Sequence, residues 1–131
     1  MNPIPLPPDA NVIRLKIKSM IPELSQQNSG NYAKVLKTEK NGNKTYGGDL
    51  LGEQISLISG QLPIPDPENW GWRLLYFAVP TTVGNTRKKG FLIPLSEKVL
   101  REGTLHEGFY TETTTDPEVG SDTAAIFFVP K

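Results

Sequence analysis

The chain has 131 residues, one histidine, no cysteine, and 14 basic residues against 14 acidic ones. That length suits one domain, which can bury roughly two-thirds of the surface its unfolded chain exposes. The missing thiols exclude a disulfide framework, a thiolate metal site and a cysteine nucleophile, and the balanced charge gives no global field toward nucleic acid or anionic membrane.

Glycine and proline number 12 each, above average usage, which marks a chain with many turns. No stretch approaches the ~20 apolar residues of a membrane span, and the opening NPIPLPPDAN lacks the cation and apolar run of a secretory signal. A soluble, cytoplasmic protein is expected, and the Asn43-Lys44-Thr45 sequon then reads as chance. The charge is unevenly spread: residues 12–44 hold seven cations and two anions, and residues 97–130 hold two cations and seven anions. The two segments are expected to pair within one domain; facing apart, they would make the molecule a dipole.

Residues 1–11 read as a proline-rich extended arm, because proline fixes φ and biases the residue before it toward extended geometry. In VIRLKIK, Ile13, Leu15 and Ile17 alternate with Arg14, Lys16 and Lys18, the period of a half-buried strand. Next come two strands around Asn41-Gly42, read as a hairpin with a type I′ turn. Gly47, Gly48 and Asp49 break the chain, and EQISLIS reads as a short strand. Pro63, Pro65 and Pro67 remove three backbone donors, so GQLPIPDPENWGW reads as a long surface loop.

WRLLYFAV is apolar on both faces, as in a central strand. The stretch VGNTRKKG connects it to FLIPL and reads as a hairpin tip, with Pro94 at an edge or a strand end. LSEKVLREG has Ser96 as a cap and Gly103 as a stop, and predicts a short helix. GFYTETTT and AAIFFVP form two further strands across the acidic turn DPEVGSD. The sum is a single all-β domain over residues 12–131. It is expected to be a small closed or partly open barrel, OB-like in outline, with one short helix; a β-sandwich is the alternative.

Catalytic machinery is hard to assemble from these residues. His106 is the only imidazole, and no nucleophile elbow accompanies it. Asp116, Glu118 and Asp122 do not follow a calcium-loop spacing, GGDLLGEQ lacks the lysine of a phosphate loop, and no metal or cofactor is expected. Two binding readings remain. In the favoured one, Trp70, on a loop stiffened by Pro65 and Pro67, anchors a protein partner in a non-enzymatic binding or accessory role. The alternative is a single-strand nucleic-acid binder, with Arg14, Lys16, Lys18, Arg87, Lys88 and Lys89 along the phosphates and Tyr32 and Tyr46 stacking on bases. The cations of TRKKG are expected to be a solvated tip, which disfavours the alternative.

Overall fold

In the computed structural model, which describes residues 3–24, 33–85, 87–100 and 103–131, a two-residue strand β1 (Ile4–Pro5) leads into helix α1 (Pro8–Ser19). Strands β2 (Lys34–Thr38) and β3 (Lys44–Gly47) precede helix α2 (Asp49–Ser59). The proline loop ends in a 3-10 turn (Pro67–Asn69), from which the long strand β4 (Trp70–Phe77) starts. Then follow β5 (Thr81–Thr82), β6 (Gly90–Pro94), β7 (Lys98–Leu100), β8 (Gly103–Leu105), β9 (Phe109–Thr113), β10 (Glu118–Val119) and β11 (Thr123–Pro130).

Seven of these strands form one antiparallel sheet in the order β1-β9-β6-β11-β4-β3-β2, so the protein is mostly β with two helices. The sheet is not closed: β1 and β2 are its edges, and among the described residues no ladder joins them into the expected barrel. Among the described residues, two small ribbons, β5 with β10 and β7 with β8, stand in place of the second large sheet that a sandwich would need.

Alternation along β11 shows how the layers are built. Ala124, Ile126 and Phe128 face the cluster that contains Ala10 and Ile17 of α1 and Leu51, Ile55 and Ile58 of α2. Ala125 and Phe127 face a smaller cluster on the opposite side with Phe77, Leu92, Val83 and Val119. A central strand buried on both faces should read as a nearly continuous apolar run, and AAIFFV does.

Both helices correct a strand reading. Ile13, Leu15 and Ile17 do not share a face: Ile17 is fully buried while Leu15 is 51% exposed and Val12 67% exposed. The inward residues are Ala10, Arg14 and Ile17, four and three apart, as a helical stripe requires. Local chemistry agrees with the helix, since Pro8 occupies its first turn, Asp9 lies at the positive end of the dipole, and Lys16 and Lys18 lie at the negative end. The extended N-terminal stretch therefore ends at Pro7 rather than at residue 11. In α2 the same spacing puts Leu51, Ile55 and Ile58 inside, a period that the shorter window EQISLIS conceals.

Three connections also differ from the sequence reading. The β2–β3 pairing forms as expected, but residues 39–43 close the loop: Glu39 N donates to Asn43 O at 2.8 Å, Gly42 alone in that loop has positive φ, and Asn43 N donates to Asn41 Oδ1 at 3.0 Å. A type I′ turn needs positive φ at both central residues, and Asn41 does not supply it. The expected helix in LSEKVLREG is replaced by the β7–β8 ribbon. Finally, β4 and β6 are not a hairpin. Each pairs antiparallel with β11, which lies between them, so they run parallel to one another and residues 78–89 form a crossover. Sequence neighbours of matching apolarity resemble a hairpin until a later strand claims the place between them.

Candidate functional site

The six cations of the nucleic-acid reading fall into two groups at opposite ends of β9. At the Phe109 end, Arg14 is 4% exposed; its Nε donates to Asn11 Oδ1 at 2.9 Å and its guanidinium to Glu107 Oε2 at 2.6 Å. Lys18 Nζ reaches the other Glu107 oxygen at 2.5 Å. One helical turn separates Arg14 from Lys18, so they share a face, whereas Lys16 projects elsewhere and is exposed. Burial alone would raise the Glu107 pKa, but the hydrogen bonds from Lys18 and Arg14 prevail and hold it below the ordinary value. Arg14 and Lys18 are thus a clamp of α1 onto the turn before β9, and the burial of Arg14 keeps its guanidinium off any phosphate track.

Tyr46 is not a stacking surface either. It is buried, and its hydroxyl donates to the Glu23 carboxylate, which also pairs with Lys44 Nζ at 3.2 Å. Burial first and this hydrogen bond second keep the phenol neutral far above the usual tyrosine range. Tyr32 lies outside the described residues.

The second group sits in the crossover near the Thr113 end of β9, where Gly90 pairs with Thr113. Asn85, nearly buried, organises the loop. Its main-chain N donates to Asp116 Oδ1 at 2.7 Å, its Nδ2 to Thr113 Oγ1 at 3.3 Å and Thr115 O at 3.1 Å, and its Oδ1 accepts from Lys89 N at 3.3 Å. Lys88, in the left-handed region at φ 52°, directs its ammonium to Asp116 at 3.4 Å. The Asn85 N–H and then Lys88 hold the Asp116 carboxyl below its ordinary pKa. Arg87 instead donates to the main-chain oxygen of Lys131 at 3.2 Å. Lys89 is exposed and forms no ion pair among the described residues.

Arg87 and Lys89 border the same clefts as Trp70. This tryptophan begins β4 opposite Pro130, is half-buried, and packs on Phe91 with ring centroids 5.5 Å apart; Phe91 in turn meets Tyr110 at 6.1 Å. On one side of Trp70 a cleft of about 310 Å³ is walled by Pro63, Pro65, Phe91 and Lys89, with Gly90 and Glu112. A shallower one of about 490 Å³ continues from Pro65 and Trp70 to Arg87, Pro130 and Lys131, with Asp66 on its rim. Gly90 is required here: a Cβ on it would come within 2.9 Å of both Phe128 O and Thr113 Oγ1. A third cleft, about 370 Å³, lies between α2 and the start of β4 and exposes part of Trp72, which packs against the core without being fully enclosed by it. Pro67 opens the 3-10 turn beside Trp70.

The structure therefore joins Trp70 and Pro65 to Arg87 and Lys89, and separates all four from Arg14 and Lys18. Pro63 enters the site from the proline loop already read from the sequence; Phe91 and Lys131 complete it and were not singled out. Nothing local marks them; they meet Trp70 because β11 places β4 and β6 on its two sides.

The remaining titratable groups are dispersed. His106 Nδ1 lies 3.5 Å from Glu97 Oε1 and its ring packs near Phe109, and no serine or threonine hydroxyl among the described residues bonds to it. Asp116 holds the crossover, Asp122 accepts from the Tyr76 hydroxyl at 3.2 Å, and Glu118 lies in β10, so the three acidic residues of the last turn do not converge. Among the described residues no three of His, Asp and Glu gather where they could hold a metal ion, and no helix is long and apolar enough to cross a membrane. No protein-family model matches the chain, and neither the curated proteins nor the solved structures include a significant match.

Proposed function

We propose that the protein is a non-enzymatic binding module that engages a protein partner through the Trp70 cleft. The observation that supports this reading is the setting of Trp70, a large aromatic side chain half open to solvent between two proline-walled clefts and braced from behind by Phe91. Rigid aromatic anchors at a concave surface supply much contact area for little lost side-chain entropy, which is why they dominate binding energy at interfaces. The proline loop adds stiffness, since Pro63 and Pro65 restrict the backbone that forms the wall. The reading does not require an OB-like barrel.

Capture from native-host extract, with and without nuclease, tests the proposal. Proteins retained after nuclease treatment should be lost with Trp70→Ala. The accompanying loss of stability should stay below the about 3–5 kcal/mol typical of a fully buried tryptophan, because only part of the ring leaves water on folding. Capture that survives Trp70→Ala, or that nuclease abolishes, overturns the proposal.

A further inference from the structure

We infer that the Trp70 cleft takes an extended, acidic segment of its protein partner, with the carboxylates of that segment meeting Arg87 and Lys89. The inference rests on the cleft being the contact site and adds the chemistry of the occupant.

The charge around the cleft is sided. Of the three consecutive cations, Lys88 turns away to Asp116, and its charge is compensated there. Arg87 is fixed by a main-chain oxygen, and Lys131 Nζ donates to the carbonyl of Glu68 at 3.1 Å. The Glu68 carbonyl orients the Lys131 ammonium without neutralising it. Among the described residues, the side chains of Arg87, Lys89 and Lys131 along the wider cleft face the one acidic side chain of Asp66, while in the narrower cleft Lys89 faces Glu112. Two of the three cationic heads are already held by hydrogen bonds, so an arriving carboxylate meets side chains whose ordering cost is partly met before binding.

The walls argue for an extended segment held through its side chains. Pro63 and Pro65 have no N–H to offer, so that side of the cleft cannot donate to a β-ladder and instead presents proline rings beside an indole. Grooves of this kind receive extended, polyproline-like backbones. An oligonucleotide fits less well. Its phosphates would need cations continuing along a track, but the next group, Arg14 and Lys18, lies at the other end of β9 and is bound to Glu107.

The test is selection of short random peptides on the intact chain, with the selected peptides then measured by fluorescence anisotropy at two salt concentrations. Mixed-sequence single-stranded DNA serves as a second probe. Peptides enriched in Asp and Glu are expected. Their affinity should fall with salt and drop roughly tenfold or more in the double variant Arg87→Ala, Lys89→Ala. It should be lost in Trp70→Ala and retained in Lys88→Ala. Peptides that require Trp70 but carry no acidic excess overturn this inference and leave the protein-contact reading standing. No peptides, or peptides indifferent to Trp70, overturn both. DNA binding that the double variant abolishes replaces both with an oligonucleotide site.

Discussion

At the Phe109 end of β9, Arg14 and Lys18 converge on one carboxylate beneath a helix; at the Thr113 end, Arg87 and Lys89 line an open cleft with only Lys88 of their run paired to an acid. The residue types are the same and the physics differs. A guanidinium that is almost fully buried must be paired, because an uncompensated interior charge costs several kcal/mol. An exposed cation contributes little to stability, and its field remains available to a visitor. The first group ties the N-terminal helix to the sheet, whereas in the second only Lys88 is paired to an acidic side chain among the described residues.

The largest effect should come from breaking the buried pair. Glu107→Ala leaves Arg14 with no anion among its described partners, and unfolding free energy measured in urea should fall by about 3–5 kcal/mol. A loss no larger than that of an exposed substitution would show that the clamp is incidental.

Acid should produce a smaller and graded effect. The Glu107 carboxyl has its pKa lowered from an ordinary value of 4.5 in the fold, so its contribution is complete above that value and is lost as pH falls through the depressed pKa. Asp116 is shifted in the same direction from its own ordinary value of 3.8, so its contribution is lost only at lower pH. The urea midpoint should therefore drop more steeply below about pH 4.5 in the wild type than in Glu107→Gln, where one of the titrating groups is gone.

The smallest effect belongs to the other end of the strand. Replacing Arg87 and Lys89 by alanine should move the unfolding free energy by no more than about 0.5 kcal/mol each, as for exposed positions without a special role. A large loss would mean that these side chains hold the crossover together, and the contrast between the two ends would disappear.

These two groups also mark where sequence reasoning worked and where it stopped. Strands β4, β9 and β11 and the β2–β3 pair were legible because their apolar runs are long or their turn residues distinctive. Helix α1 was hidden by a coincidence: over the few residues of VIRLKIK, a period of two places isoleucines where a helix of slightly longer reach also wants them. Extending the window to Ala10 and Ile21, both fully buried, would have exposed the helical stripe, and Leu51 would have done so for α2. The cleft is different in kind. Trp70 and the proline loop were recognised, and so were the cations, but as unrelated features. Their meeting depends on β11 entering between β4 and β6, a pairing encoded in contacts far apart in the chain.

That same insertion has a consequence for how the molecule comes into being. Until Thr123–Pro130 is in place, the two flanks, β1-β9-β6 and β4-β3-β2, share no ladder. A nascent chain must therefore carry the unpaired inner edge of β4, and after β6 is made a second apolar inner edge as well, until β11 arrives, and such edges invite association with other chains. A chain ended after residue 122 should accordingly show no cooperative melting transition and should sediment as aggregate, whereas adding a peptide of residues 123–130 during refolding should restore soluble material.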